Sequence, residues 1–494
     1  MSSRKIFLGF VLLALVLITA YPASAKVFFV NDKPLNIMGQ LSQSIQYGWH
    51  DDFDTYYGFQ SAMLTAILEG DYQFSDTFRA YSMLVMSGDL AYELRSGGKW
   101  EARGFQASRS DMEWDSDWFR VLKEIHATWT PGDFMFRAGK QMVSWGEMIG
   151  FRLLDQVNPV DAHRGPGDLE FETTIVPVWM LRMDYKIPYN TLWFSDMNLQ
   201  VLYDPRADKA IYTGAATGND QAGIWAPYAM PVPGLLVGSQ NFDYQHPNSW
   251  TDPNIGIRFQ TKIKDSLASL NFLYGRDYAP LFVVAPAGTD TVDGLNILHL
   301  NSRAYFPIRR LLGGMYATEL SFLPRPGGLS SPMFRLEWSY AFQSEFLDQS
   351  QVSELHDDQR IAAGLDFSVP IRFLNPDQTF RFIAQYYLRR IAGISDGFEN
   401  AVTSTEGPAN KYNHTTTLVV STSYLTGQLS LALSWMQDWI NHAYILKPVA
   451  TYTYSDKIVF TASITWFEGS LTGRSLEAFD HKDYASFKVQ YKFN

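Results

Sequence analysis

Apolar and polar residues alternate in short segments along most of the chain. In residues 485–493, "ASFKVQYKF", every second residue is apolar and the residues between them are polar. The same alternation occurs in residues 334–343 and 380–389. Side chains of a β-strand point alternately to opposite faces, so each segment predicts a strand of about ten residues with one apolar and one polar face.

Many of these segments occur in pairs around a tight turn. Turn residues lie at 131–133 (Pro-Gly-Asp), 264–266 and 425–427. This arrangement predicts hairpins in an antiparallel, up-and-down order. Long connections alternate with the short ones, and they cover about 90–117, 147–173, 204–252, 277–311 and 392–412.

Two architectures explain alternation on this scale, a soluble β-sandwich or propeller and a transmembrane β-barrel. The apolar face carries many Trp, Tyr and Phe residues near strand ends, and aromatics make up 15% of the chain. Aromatic belts, and short turns that alternate with long loops, are typical of outer-membrane barrels. The fold class we predict is therefore all-β, a transmembrane antiparallel up-and-down β-barrel.

The strand number follows from a parity argument. The sequence contains 19 candidate strands, but a closed barrel with both termini in the periplasm needs an even number. Counts from the two ends disagree only around residues 295–306, which we therefore assign to a long outer loop. We predict 18 strands, with 16 as the alternative.

The first 25 residues have the features of a secretory signal peptide. Arg4 and Lys5 precede an apolar run at 6–20, and Ala-Ser-Ala at 23–25 forms the cleavage site. We expect the mature barrel to comprise residues 26–494. The chain has no Cys, which excludes disulfides and thiolate metal sites, and its net charge of −11 argues against a nucleic-acid partner.

The stretch "GKQMVSWGEMIGFRLLDQVNPVDAH", residues 139–163, begins as a strand and then loses its periodicity. Alternation directs Arg137, Gln141 and Trp145 to the interior, so the loop 147–173 starts at the lumen wall. We expect this loop to fold into the lumen and narrow it. Direct contact with a solute is an alternative role.

Polar residues accumulate in this loop, namely Glu147, Asp155, Asn158, Asp161 and His163. We expect the acidic residues to pair with arginines of the wall, and Asn158-Pro159 to form a turn. Carboxylates and imidazole also bind metals, but no spacing such as H-x-x-x-H is present. We predict no metal site and no cofactor.

The predicted inner face carries more basic than acidic residues. The basic positions are Arg137, Arg182, Arg258, Lys262, Arg335, Arg381, Arg389, Lys457 and Lys488, against Glu124, Asp184, Glu337 and Asp438. Such a face produces a field that favours anions. Alternatively, these side chains form cross-strand ion pairs that stiffen the wall.

"GKQMVSWGE", "NPVD" and "VPVWMLRMDY", together with "GLDF" and "AQYYL" at 364–388, are similar to a family of Gram-negative outer-membrane proteins called domain of unknown function 1302. The resemblance implies a large barrel with a role in transport, in some members beside export pumps for hydrophobic compounds. It supplies no catalytic residues. It marks Trp145, Glu147, Asn158 and Asp161 as signature positions.

The function we expect is a porin-like channel in the bacterial outer membrane for small organic solutes, either anionic or hydrophobic. The expected partners are outer-membrane lipid, lipopolysaccharide, the solute and an export-pump or periplasmic protein. One alternative is a barrel-type lipid hydrolase, for which His126, His163 and His299 lack an evident Ser partner. The other is a structural sheath around an electron-transfer or export partner.

Overall fold

The computed structural model describes residues 26–52, 56–95, 114, 118–161, 174–207, 224, 235–292, 295–323, 331–394, 402–470 and 475–493. The expected signal peptide, residues 1–25, lies outside the described residues, as do residues 162–173, which include His163. No helix in the described part of the chain is long and apolar enough to cross a membrane.

The strands, in chain order, are β1 (Lys26–Val30), β2 (Lys33–Trp49), β3 (Tyr57–Ser61), β4 (Met63–Gln73), β5 (Phe78–Asp89), β6 (Leu122–Trp129), β7 (Phe134–Gln141), β8 (Val178–Lys186), β9 (Phe194–Asp204), β10 (Leu235–Gln245), β11 (Asn254–Ile263), β12 (Ser266–Arg276), β13 (Leu281–Val292), β14 (Leu295–Tyr305), β15 (Ile308–Glu319), β16 (Met333–Leu347), β17 (Ser353–Val369), β18 (Phe380–Ile391), β19 (Val402–Ser404), β20 (Gly407–Ala409), β21 (Tyr412–Tyr424), β22 (Leu429–Asp438), β23 (Ala443–Thr453), β24 (Ile458–Glu468) and β25 (Tyr484–Phe493). Single helical turns occur at Ala91–Leu94, Trp118–Val121, Leu425–Gly427 and Ser475–Phe479.

Eighteen of these strands form a closed antiparallel wall, and the strands outside it are β1, β3, β10, β13, β14, β19 and β20. Each wall strand pairs with the next wall strand along the chain, as β11 does with β12. The ring closes where β2 pairs with β25, from Gly39 opposite Phe493 to Gly48 opposite Tyr484. The predicted fold and the predicted number of strands are both confirmed.

Short connections lie at one end of the barrel, as the turn signals predict. Examples are the connections between β6 and β7 and between β11 and β12, which consist of residues 130–133 and 264–265. Gly132 and Lys264 have φ angles of 60° and 55° there, and this left-handed conformation lets the chain reverse within a few residues. The remaining connections, at the opposite end, include all the long ones.

The two faces of the wall differ as alternation requires. In β12, Leu270, Phe272 and Tyr274 are exposed on the outside, whereas Ser269 and Asn271 are buried inside. Near the short turns the outer face is aromatic: the rings of Trp129 and Phe136 stack with centroids 5.8 Å apart, and those of Phe134 and Tyr185 with centroids 4.5 Å apart. A closed wall with an apolar outer face and an aromatic belt is a transmembrane barrel. We therefore place the protein in the outer membrane.

The region around residues 295–306 differs from its prediction in one respect. It is not part of the wall, which is why the count of 18 is correct. However, it is not an irregular loop, because Leu295–Tyr305 forms β14 in a separate three-stranded sheet. In that sheet β14 pairs antiparallel with β13 and parallel with β10. Alternation predicts a strand but does not identify the sheet to which it belongs.

The outer face makes a quantitative prediction about lipid exposure. We expect Leu270→Arg, at the middle of β12, to lower the free energy of unfolding by about 2–4 kcal/mol, because it places a charge near the bilayer midplane. Tyr274→Arg, near the end of the same strand, is the matched control and should cost about 0–1 kcal/mol. Denaturant titrations of the barrel folded into lipid vesicles measure both values. Equal costs at the two positions would contradict this orientation of the wall.

Candidate functional site

Residues 142–161, which we call the inner loop, follow β7 and contact strands on several sides of the wall. Trp145 Nε1 donates to Gln200 Oε1 of β9 at 2.7 Å. Arg309 Nη2 of β15 donates to the carbonyl oxygen of Gln156 at 2.8 Å. Further bonds reach β16 and β18. These strands lie far apart around the closed wall, and a single segment can contact all of them only if it lies inside the barrel.

Wall side chains bind the backbone of the inner loop, which forms no regular structure over residues 142–159. Glu337 Oε1 accepts from the amides of Glu147 and Met148, and the Met148 bond is 3.0 Å. Gln385 accepts from the amide of Ile149 at 2.9 Å and donates to its carbonyl oxygen at 3.0 Å. These bonds give partners to backbone groups that have none within a regular element, and the Met148 amide among them is buried. Gln385 was not among the predicted site residues, although it lies on the inward face of β18.

Asp155 holds the first turn of the inner loop. Its Oδ1 accepts from Ser144 Oγ at 2.8 Å, from the Trp145 amide at 2.5 Å and from the Gly146 amide at 2.8 Å. The expected pairing of Asp155 with a wall arginine is therefore replaced by bonds within the loop. The carboxylate draws the two ends of residues 144–155 together.

Asn158 closes the base of the inner loop. Its Oδ1 accepts from the Val143 amide at 2.8 Å, and its Nδ2 donates to the carbonyl oxygens of Gln141 and Val176 at 3.1 and 3.0 Å. The side chain thereby connects the chain just after β7 to the chain just before β8. The chain also bends at Asn158, so its side chain adds a clamp between these two segments to the predicted change of direction.

Two other acidic residues of the loop contact arginines. Asp161 Oδ2 accepts from Arg120 Nε at 2.7 Å, although Arg120 belongs to the helical turn before β6 rather than to the wall. Glu147 lies at the other end of the loop, 3.5 Å from Arg335 Nε of β16.

The inner loop also inserts apolar side chains between itself and the wall. Its buried members are Val143, Trp145, Met148, Phe151, Leu153, Leu154 and Val157, and they pack against inward residues that include Leu202, Leu273, Leu311 and Met315. An apolar core of this kind stabilises the loop as the core of a soluble domain does. The interior in this region is therefore apolar as well as charged, and of the residues in this core only Trp145 was among those predicted to face inward.

Two inward glycines make room for this core. A Cβ atom at Gly256 of β11 would lie 2.9 Å from Trp145 Cη2, and one at Gly313 of β15 would lie 2.5 Å from Leu154 Cδ2. Both distances are shorter than ordinary contacts between carbon atoms. The two glycines thus leave the space on the wall that Trp145 and Leu154 occupy.

Most of the predicted inward arginines are ion-paired. Arg335 and Arg381 share Asp366 at 2.7 and 3.2 Å. Arg182 binds Asp184 at 2.6 Å. Asp366 was missing from the predicted site, although it follows the period of two along β17.

A second ion-pair network lies nearer the end of the barrel with the long connections. Arg389 and Arg360 share Asp358 at 2.7 and 2.6 Å, and each also reaches Glu406 in the outer loop at 3.1 and 2.9 Å. The excess of basic residues that the alternation predicts is therefore largely neutralised by carboxylates. Asp358 and Arg360 also lie on the inward face of β17, so the same alternation was enough to find them.

Arg137 and Arg258 differ from the other inward arginines. Neither forms an ion pair with a carboxylate of the described residues at 4.0 Å or less. Arg137 Nε donates to Thr128 Oγ1 at 3.0 Å and lies in register with Arg182. Arg258 Nη1 approaches the carbonyl oxygen of Ser144 at 3.4 Å. These two guanidinium groups lie next to the start of the inner loop.

A cavity of about 500 Å³ lies between the inner loop and the outer connections. Its charged lining contains Arg152, Arg309, Arg360, Asp277, Glu406 and Asp438. Arg152 Nη2 donates to the carbonyl oxygens of Asp155 and Asn158, the second at 2.6 Å. Burial lowers the pKa of the Arg152 guanidinium, an effect that Asp155 opposes.

His126 and Ser144, the latter in the inner loop, do not form a nucleophile–base pair. His126 Nε2 lies 3.5 Å from Glu124, and Ser144 Oγ donates to Asp155. Both residues line one cavity with Arg137, but Ser144 is engaged by a carboxylate. His299 lies in β14, outside the wall.

The turn formed by Asp155 makes a testable prediction. We expect Asp155→Ala to lower the free energy that holds the inner loop in place by about 1.5–3 kcal/mol, because two amides and a hydroxyl lose a charged acceptor. The chain has no Cys, so the single thiol of Leu154→Cys reports release of the loop by its rate of labelling. Labelling should accelerate at least about ten-fold when Asp155→Ala is added. Asp265→Ala, in an exposed periplasmic turn, is the control; equal rates in both variants would refute the role of Asp155.

A family model matches most of this chain. The family described as "Protein of unknown function (DUF1302)" matches residues 126–493. No curated protein matches the chain significantly.

Three solved structures are similar to this chain at low identity. OccK8 (OprE) of Pseudomonas aeruginosa is 10% identical, with a TM-score of 0.48 over 94% of this chain and 98% of that one. OccAB2 of Acinetobacter baumannii is also 10% identical, with a TM-score of 0.48 over 94% of this chain and 99% of that one. An anion-selective porin from Comamonas acidovorans is 10% identical, with a TM-score of 0.39 over 93% of this chain and 100% of that one.

Proposed function

The chain belongs to the DUF1302 family of proteins of unknown function, and we propose that it is a passive outer-membrane channel for small organic solutes. The observation that supports this function is the inner loop, which contacts the wall from β9 to β18 and narrows the lumen without an added domain. A loop anchored in this way sets the size of the solute that passes. The cavity of about 500 Å³ on its outer side has the size of a small-molecule site.

We propose that the channel prefers solutes that carry a carboxylate. Arg137 and Arg258 keep charges that no carboxylate of the described residues neutralises within 4.0 Å, and both lie beside Ser144 at the edge of the inner loop. An arginine binds a carboxylate through two parallel hydrogen bonds. The buried apolar residues of the loop would contact the organic part of such a solute if they become accessible during passage.

A sheath around an electron-transfer or export partner fits this interior less well. The inner loop occupies the space through which such a partner would pass, and its bonds to Glu337 and Gln385 would have to break. A lipid hydrolase lacks support because Ser144 bonds to Asp155 rather than to His126. An export-pump or periplasmic partner at the barrel end remains compatible with a channel.

The constriction is tested by single-channel conductance in planar bilayers. We expect the conductance to rise when residues 147–154 are replaced by a short Gly-Ser linker, because the segment that extends into the lumen is removed. The base of the loop should stay closed, since Asn158 still bonds to Gln141. Replacing residues 286–292 of β13, which lies outside the wall, by the same linker is the control and should leave the single-channel conductance unchanged. If removal of 147–154 does not change the conductance, the inner loop is not the narrowest part of the channel.

Ion selectivity is a separate test of the charge argument. We expect the wild-type channel to favour chloride over potassium. Arg258→Gln should shift the reversal potential towards zero, the value of a non-selective channel, since it removes an unpaired charge from the lumen. Arg390→Gln changes the same residue type on an exposed position of β18 and should have little effect. A wild-type channel that prefers potassium would refute the proposed preference for carboxylates.

A further inference from the structure

A cluster of histidines and aspartates lies at the outer rim, where the barrel closes. His50 and Asp52 follow the outer end of β2, and His481 and Asp483 precede the outer end of β25. The two strands are the first and last of the wall and pair with each other. The cluster therefore joins distant parts of the sequence across one pair of strands.

Three possible metal donors converge in this cluster. One ligand atom each from His50, Asp52 and His481 can be chosen so that all three lie within 4.8 Å of one another. Asp52 Oδ2 lies 2.9 Å from His481 Nδ1 and 4.0 Å from His50 Nδ1. In a tetrahedral zinc site with bonds of about 2.0–2.1 Å, neighbouring donors are about 3.3 Å apart. The His50–Asp52 pair, at 4.0 Å, would have to shorten by about 0.7 Å to reach this spacing.

The opposite ring nitrogens face other carboxylates. His50 Nε2 lies 3.0 Å from Asp483 Oδ2, and Asp483 Oδ1 accepts from the Phe467 amide at 2.7 Å. His481 Nε2 lies 3.9 Å from Asp480 Oδ2. Histidines that bind a metal through one nitrogen usually donate from the other nitrogen to a carboxylate, a backbone carbonyl or water, which fixes the tautomer. His50 has this arrangement already, with Nδ1 left to face Asp52.

The solvent access of the cluster is also that of a binding site. The side chains of His50, Asp52 and His481 are 31%, 48% and 45% exposed, whereas Asp483 is only 11% exposed. The Asp483 carboxylate is thus held in place, and an ion can reach the other three side chains from the outside. The rings of His50 and His481 are nearly parallel, with centroids 5.2 Å apart.

We propose that His50 Nδ1, His481 Nδ1 and Asp52 bind a divalent transition-metal ion such as Zn²⁺, Ni²⁺ or Cu²⁺, with water completing the coordination. Two imidazoles and one carboxylate suit these ions, whereas Ca²⁺ and Mg²⁺ prefer oxygen ligands alone. The bound ion would link the loop that follows β2 to the loop that precedes β25. This site is separate from the proposed channel and does not depend on it.

The test is calorimetric titration of untagged, refolded barrel with Zn²⁺ and, separately, with Ca²⁺. We expect saturable binding of one Zn²⁺ per chain beyond any background, no such binding of Ca²⁺, and loss of the Zn²⁺ site in His481→Asn. Asn is the suitable replacement because His481 has a φ of 63°, a left-handed conformation that Asn tolerates. His442→Asn is the matched control, since His442 is exposed in another outer turn with a φ of 53° and should leave the site intact.

A second variant separates a metal site from plain histidine–aspartate ion pairs. Asp483→Asn keeps an oxygen for the Phe467 amide but removes the carboxylate that orients His50, so we expect Zn²⁺ affinity to fall about 10- to 100-fold. Wild-type barrel should also melt at a higher temperature with Zn²⁺ than without it, and His481→Asn should not. Absence of Zn²⁺ binding by the wild type, or equal binding by wild type and His481→Asn, would overturn the proposal.

Discussion

Lipid offers no hydrogen-bond partner to a backbone amide, and this constraint governs the whole molecule. Each wall strand must therefore pair on both edges, and the wall is complete only when β25 reaches β2. An odd number of strands cannot close antiparallel, so closure explains why the count is even, whereas the sequence pattern indicates its value. Without disulfides to assist, this one pair of strands joins the two ends of the wall.

Closure creates an interior that the chain must fill in part. The inner loop does so with two kinds of interaction that depend on each other. Glu337 and Gln385 satisfy its backbone, which allows a segment without regular structure to lie in a partly dry interior. Its apolar side chains then pack against the wall, where Gly256 and Gly313 leave space.

The sequence predicted the wall well because alternation is a local property. The strands, the turn at 131–133 and the inward positions of Arg335 and Glu337 all follow from a period of two. The interior was less predictable, since residues 142–161 have no period and their partners lie on distant strands. Asp155 is an example: its acidic side chain was evident, but its acceptance of two nearby amides depends on a turn that no pattern marks. The histidine cluster was missed for a similar reason, because its ligands come from opposite ends of the chain.

The parallel pairing of β10 with β14 has a consequence for how the outer surface varies. These strands belong to two different outer connections, those after β9 and β12. Because the backbone hydrogen bonds of this pair join one connection to the other, the two connections form one structural unit. An insertion or exchange in residues 235–245 must therefore be accommodated by residues 295–305. Outer connections of barrels usually diverge independently of one another, whereas these two are constrained to change together.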